Sequence, residues 1–508
     1  MNTSLEILEA LFPKPSPAPK NFLLTPTRIP GATPDSIQAL LEYLKDNHRN
    51  WHIFFNDRQF HNHAAHHLLA IYALGADRNL LKAAYQTHVL YQRPSFPSPG
   101  EITQETWKDY LGDEKYYQAY VTYFTERLLE KGAASALESY VFSKDANVVG
   151  SPNTQGMPYM LSRYLGGFLH PYIHAGYGAE FGQLGMWAEG LAQAAVHTPD
   201  PPTLILPLLD ASVSPTTGQK KCTTHALTIA ARIAADPAFS PSAIGLPVPF
   251  DGDEELLERV VRIGGDKLLG LLNEWQVEPN QQDLEKKVEE LIWMNTAIYV
   301  MGGWAFRKQG SDEKKEFNAN FLAMHLVTSV LFLPSTLTYL KPSSAVILVR
   351  AFFATSVALY IGLGAPALPI ADFYRATETA IVPPGVHPTP SSKFFRGFAN
   401  SEQTIQLQEG AWAEVSKILT PNPWLPIIQS TLVHPDEHLC KIQRALSHFA
   451  AELGETAPGT FSSLVSGLDD ADILDGTLFI RAAILTQNRL GWMREGQDER
   501  NWDRQGFY

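Results

Sequence analysis

Four histidines fall within seven residues, at His61, His63, His66 and His67. Two further pairs repeat one pattern, HPxxH, at His170-Pro171 to His174 and at His434-Pro435 to His438. Proline suits a first helical turn, so each leading histidine is expected at an N-cap and each second one a turn later on nearly the same side. His325 stands alone in the apolar stretch FLAMHLVTSVLF. Imidazole is the commonest transition-metal ligand, and three or four that converge suit iron, copper or zinc. Each has an ordinary alternative. His61, His66 and His67 cannot all face one point on a helix, and a histidine on an apolar face is more often a core residue satisfied by a hydrogen bond. His174, His197 and His225 are ambiguous in the same way.

Lys441 lies three residues after His438, on the same helix face. An ammonium has no lone pair and repels a cation. Three readings stay open: a solvated surface lysine, an ion-pair partner of Asp436 or Glu437, or an amine carboxylated by CO₂ into an anionic oxygen donor.

The elements that must position these residues are helical. Apolar periodicity and capping signals predict helices over 59–75, 102–112, 114–132, 133–142, 171–197, 222–235, 254–273, 281–302, 316–332, 343–361, 435–453 and 468–489. Another is expected to start at Asp35-Ser36. LILPLL at 204–209 is the best strand candidate, and no repeat of 20–50 residues is found. Seven prolines in 13–34 read as an extended arm, and 383–397 as a Pro/Ser loop. The expected architecture is all-α: a large multi-helix globular bundle. It divides into an N-terminal arm (1–34), one helical domain (35–490) and a polar tail (491–508).

Bulk composition narrows the partners. Hydrophobic residues make up 45% of the 508 and charged ones 18%, enough for a large core. A net charge of −13 disfavours nucleic acid and anionic membrane surfaces. The two cysteines, Cys222 and Cys440, exclude a disulfide framework and fit a reducing, cytoplasmic setting. No basic region followed by an apolar run opens the chain, so no signal peptide is expected. Residues 317–340 and 351–371 carry no Asp, Glu, Lys or Arg, yet their internal Asn, His, Gly and Pro residues read as core helices rather than membrane spans. Walker A, GxSxG and HExxH are absent. GYGAEFG at 176–182 has neither GxGxxG spacing nor a preceding strand, so no flavin site is expected and O₂ chemistry would fall to a metal.

Four blocks in order, FHNHAAHHLLAIYALGA (60–76), LHPYIHAGYGAEFG (169–182), FLAMHLVTSVLFL (321–333) and HPDEHLCKIQRAL (434–446), resemble the questin oxidase-like family. GMWAEGLAQAAVH (185–197) and EELIWMNTAIYV (289–300) also fit, so the likeness runs from about 35 to 450. The resemblance implies an oxidoreductase of fungal secondary metabolism that opens the quinone ring of an anthraquinone-type aromatic polyketide with O₂. Such enzymes are described as Baeyer–Villiger oxidases using NADPH or as non-haem iron oxygenases. It implies an Fe(II) centre of four histidines and a carboxylated lysine, which carries over to His63, His170, His325, His438 and Lys441. His67, His174 and Asp436 stand as alternative or supporting ligands. Tyr177, Phe60 and Trp187 are nominated for an aromatic substrate pocket, against ordinary helix packing. Two rival readings are a metal-independent NADPH-linked oxidase with acid–base histidines, and a non-catalytic helical carrier of aromatic intermediates.

Overall fold

Local capping fixes the starts of the helices that matter. Asn320 Oδ1 accepts from Leu322 N (3.0 Å) and Ala323 N (2.9 Å), starting helix Phe321–Val330. Asp436 Oδ1 accepts from His438 N (2.8 Å) and Leu439 N (3.0 Å), starting Glu437–Leu453. Asn62 Oδ1 accepts from Ala64 N at 2.9 Å, so His63 sits at the N-cap of Ala64–Ala73 with its ring left free of capping.

The computed structural model describes residues 5–17, 19, 22–154, 156–209, 224–248, 255–309, 315–378 and 422–508. It is all-helical apart from one antiparallel pair, Lys308–Gln309 with Lys315–Glu316, which are the only strands among the described residues. Cys222 and the 383–397 loop lie outside the described residues, and Cys440 is buried and free.

Helix Met160–Phe181 packs along Leu184–Val196, which in turn packs on Tyr117–Leu137. A Cβ on Gly178 would come within 2.9 Å of the Trp187 ring, so glycine here permits close approach of the two helices. Four segments close a ring: Ala64–Ala73 touches Met160–Phe181 and Glu437–Leu453, and Phe321–Val330 touches the same two. Helices Gln281–Ala297, Pro342–Gly362 and Thr477–Leu490 back this ring, and a single hydrophobic cluster runs through the whole. Pro342–Gly362 is long and apolar enough to cross a membrane, but 89% of its apolar window is buried inside the protein.

Several expected elements differ. LILPLL is helical, within Pro202–Leu209; a short run of Leu and Ile reads alike as strand or buried helix. Residues 104–112 form successive turns instead of a helix. The expected 171–197 helix is two, broken at Gly182-Gln183, where Gly182 takes φ 68°. The expected 468–489 helix starts only at Thr477, and the expected arm contains helix Leu5–Leu11, whose Leu8 and Leu11 are buried. The two HPxxH prolines differ. Pro171 falls in the first turn of the helical stretch that restarts after the left-handed break at Gly167–Leu169, as expected, although His170 is already helical and not the cap; Pro435 instead precedes the Asp436 cap.

Candidate metal centre

The ring of four segments brings together the imidazoles of His63, His170, His325 and His438. The ligand atoms of His170, His325 and His438 lie within 4.8 Å of one another, as do those of His61, His63 and His170, and those of His63, Glu437 and His438. His63 Nε2 is 2.8 Å from His170 Nε2. His325 is fully buried, and the other three are nearly so.

Each imidazole is oriented through its other nitrogen. His170 Nδ1 donates to Gly167 O (2.6 Å) and His325 Nδ1 to Phe321 O (2.7 Å). Glu437 Oε1 lies 3.1 Å from His63 Nδ1 and 3.2 Å from His438 Nδ1. Burial alone would raise the Glu437 carboxyl, but His438 and His63 hold it well below the usual range, so it is an acceptor for both. Carbonyls only accept, so His170 and His325 carry their protons on Nδ1 and present Nε2 lone pairs, and the Glu437 carboxylate within ion-pair range of the His63 and His438 Nδ1 atoms favours the same tautomer there. This is the arrangement in which metal-binding histidines are held.

The lone pairs lack partners. His325 Nε2, His438 Nε2 and Lys441 Nζ are buried without a hydrogen bond among the described residues. Desolvation pushes His63 down to about 4 and His170, His325 and His438 well below the ordinary imidazole range. His63 Nε2 and His170 Nε2 approach to 2.8 Å; with both rings in the Nδ1–H tautomer their lone pairs would repel unless a cation lay between them. Two nitrogens bound at right angles, each about 2.1 Å from one ion, would be roughly 3 Å apart. The residues fit a first-row divalent metal.

The approach to His170 is built on a left-handed run: Gly167 (φ 56°), Phe168 (φ 55°) and Leu169 (φ 69°). This run turns the Gly167 carbonyl onto His170 Nδ1. A Cβ on Gly167 would collide with the His197 ring.

Lys441 is 3% exposed, which rules out the solvated surface lysine. Desolvation lowers its amine to about 8, against the pull of Glu437. No ion pair to Asp436 or Glu437 forms within 4.0 Å, although both lie on the same turn.

The alternative ligands do not join the cluster. His67 Nδ1 is 3.0 Å from His88 Nε2, and Asp436 spends one oxygen on its helix cap and on Trp502 Nε1. Desolvation raises Asp436 to about 7. His174 belongs to a separate buried chain. His66 Nε2 is 3.0 Å from His174 Nδ1, His174 Nε2 is 2.6 Å from Glu189 Oε2, and His48 Nδ1 is 2.6 Å from Glu189 Oε1. The nominated aromatic residues lie in three places. Tyr177 is buried against His66 and Phe332, Trp187 packs on Tyr339, and Phe60 is 37% exposed beside Phe55. The aromatic rings that do touch the imidazoles are Phe321 (4.7 Å from His325, 4.8 Å from His438), Phe168 (6.4 Å from His325) and Phe54 (5.5 Å from His61).

Sequence reasoning missed Glu437 as the carboxylate that faces two of the imidazoles, His63 and His438. It also underweighted His61, which stacks on His170 at 4.0 Å with its Nε2 unpartnered. The adjacency of Glu437 and His438 was the available signal for the first; no spacing marked the second.

An all-helical scaffold around a buried, carboxylate-braced imidazole cluster thus defines the class of protein. The chain belongs to the questin oxidase-like family, whose model matches residues 60–446. It is 27% identical over 343 residues to the oxidoreductase AflY of Aspergillus parasiticus, covering 64% of this chain and 63% of that one. It is 26% identical over 402 residues to the Baeyer-Villiger oxidase AgnL3 of Paecilomyces divaricatus (75% and 82%). It is 28% identical over 302 residues to the questin oxidase of Aspergillus terreus (58% and 62%). The aligned part is therefore less than two thirds of the first and third relatives' length.

Proposed function

We propose that this chain is an oxidoreductase of the cytoplasm, an Fe(II)-dependent oxygenase that uses O₂ to open the quinone ring of an anthraquinone-type aromatic polyketide. The observation that carries the metal half is the close approach of the His63 and His170 Nε2 atoms, 2.8 Å apart, beside the orphaned Nε2 atoms of His325 and His438. The oxidative ring chemistry is supported by the relatives named Baeyer-Villiger oxidase and questin oxidase.

In this reading His63, His170, His325 and His438 hold the iron through Nε2, and Lys441 completes the set as a carbamate. The neutral Lys441 amine adds to CO₂: an N–C bond forms, one C–O π bond opens to leave a carboxylate, and the nitrogen releases one proton, so a side chain that a cation would repel when protonated becomes an anionic oxygen donor. Bound iron would supply the redox change that lets O₂ react with a closed-shell aromatic. Glu437 keeps the Nδ1 protons of His63 and His438 in place, which aims both rings and raises their donor strength. Phe321 and Phe168 give the site an apolar edge against which a flat ring system can lie while water is kept out. NADPH serves as reductant outside any flavin.

Metal analysis of anaerobically prepared protein tests the reading. About one iron per chain is expected, falling at least tenfold in His325→Ala. Iron absent from the unsubstituted protein, with turnover that still needs NADPH, would favour the metal-independent oxidase; no turnover of any quinone would favour the carrier. A bare Lys441 amine in iron-loaded protein, seen by intact mass under CO₂, would remove the carbamate.

A further inference from the structure

Residues 502–505 belong to the polar tail (491–508), a segment that sequence reasoning left without a role. The structure places it between two of the ligand-bearing helices. Asp503 N donates to Ala319 O (2.9 Å), Phe321 N donates to Asp503 O (2.7 Å), and Ala319 N donates to Asp503 Oδ2 (3.0 Å). Asn320 Nδ2 donates to Gln505 O at 2.8 Å. Arg489 grips the Asp503 carboxylate with two contacts of 3.1 Å, and Asp503 is 5% exposed.

Phe321 is the link inward. Its amide is held by the tail, its carbonyl accepts from His325 Nδ1, and its ring lies against both His325 and His438. A second link runs through the neighbouring residue. Trp502 Nε1 donates to Asp436 Oδ1 at 3.0 Å, the same oxygen that caps the helix carrying His438 and Lys441. The Trp502 ring sits 6.4 Å from the Phe321 ring, and the Arg504 guanidinium lies 5.4 Å from the same ring.

We infer that Trp502 and Asp503 are positioning residues of the metal centre, a buckle that fixes the His325 helix against the His438 helix. The inference rests on the metal reading above. The two contacts act on different atoms: Asp503 sets the Phe321 peptide that orients His325, and Trp502 steadies the cap that starts the His438 helix. Neither touches the ion, so their loss should loosen the ligand set without emptying the core.

The experiment uses the full chain loaded with Co(II), whose visible ligand-field bands report coordination geometry, with affinity read by competition against a chelator. Trp502→Phe removes the indole N–H and keeps an aromatic ring; Asp503→Ala removes the acceptor for Ala319 N and the partner of Arg489. Arg494→Ala, on an exposed part of the same segment, serves as the control. Both tail variants are expected to bind Co(II) about tenfold more weakly, as for outer partners of metal ligands, and to shift the bands. Trp502→Phe should do so with the melting temperature of the metal-free protein unchanged. If Asp503→Ala does not fold, Trp502→Phe decides alone. Wild-type affinity and bands in Trp502→Phe would overturn the buckle and leave the metal reading standing. Failure of the unsubstituted chain to bind Co(II) or Fe(II) would overturn both.

Discussion

Two buried histidine clusters share the helices Ala64–Ala73 and Met160–Phe181, and they differ in how their nitrogens are satisfied. In the first, His63 and His170 join His325 and His438: the outward nitrogens face carbonyls or Glu437, while the inward ones of His325 and His438 are orphaned and those of His63 and His170 meet only each other. In the second, one turn further along both helices, His66 and His174 hand their hydrogen bonds to Glu189, which also takes His48; only His66 Nδ1 is left over. Burial helps both carboxylates little, since it would raise them, but His174 and His48 hold Glu189 at about 2. The same residue type at the same depth therefore leaves a set of open donors in one place and builds a closed hydrogen-bonded strut in the other. What separates them is the count of unanswered lone pairs, not the count of histidines.

The sharpest way to break this comparison is to exchange effects between the clusters. His438→Ala should reduce metal affinity more than a hundredfold, beyond the range for outer partners, with little loss of metal-free stability. Glu189→Ala should do the reverse. It strands the donors of His174 and His48 and should cost roughly 3–5 kcal/mol, two charge-assisted hydrogen bonds, in chemical denaturation. Metal should still bind at the first cluster. If Glu189→Ala lost the metal and kept its stability, the division into ligand set and strut would be wrong.

Acid should take the two clusters apart in order. The imidazoles of the first are depressed in the folded state, His63 to about 4, so they bind protons more readily when unfolded. Their stabilising contribution is complete above about 6.5 and is lost as pH falls toward 4, about 2 kcal/mol between pH 7 and 5 for one imidazole displaced that far. Glu189 is also depressed, so its contribution is complete above about 4.3 and is lost only as pH falls toward 2. Hydrogen exchange followed against pH should show amides around His63 and His438 loosening before those around His174 and Glu189. Simultaneous loosening would refute the ordering.

The smallest expected effect is at the left-handed run before His170. Gly167→Ala asks a residue with a Cβ to hold φ 56° beside His197, at a cost of roughly 1–2 kcal/mol. It should weaken metal binding as well, because the Gly167 carbonyl aims His170; thermal melting and chelator competition measure the two parts.

Much of the scaffold was legible in the sequence because its signals are local. The apolar run of Pro342–Gly362, the Asn280 cap of Gln281–Ala297 and the amphipathic pattern of Glu437–Leu453 each declare a helix within one window. The failures were of another kind. Gly182 reads equally as a helical glycine or a break, and Leu204–Leu209 equally as buried strand or buried helix, until neighbours decide. At the site, the imidazoles of His63, His170, His325 and His438 come together, and the buried Lys441 amine lies near enough to depress their basicity. Periodicity could not have said so, since which nitrogen lacks a partner is a tertiary fact. Glu437 shows the gap best: adjacent in sequence to His438, it gains its importance only because His63 arrives 3.1 Å away from the other side of the ring. Phe60 and Trp187 were chosen for nearness in the chain; Phe60 lies in the loop before the helix, half-exposed beside Phe55, and Trp187 packs on Tyr339.

The four imidazoles also come from widely separated points, His63 at a helix start and His170, His325 and His438 on three other helices, which meet only in the finished fold. An ion held there would act as a four-way non-covalent cross-link, closing three loops of more than a hundred residues each in a single binding event. At a thousand times its dissociation constant it would add about 4 kcal/mol to the folded state. Resistance to proteolysis would then report the occupancy of the centre as directly as any spectrum.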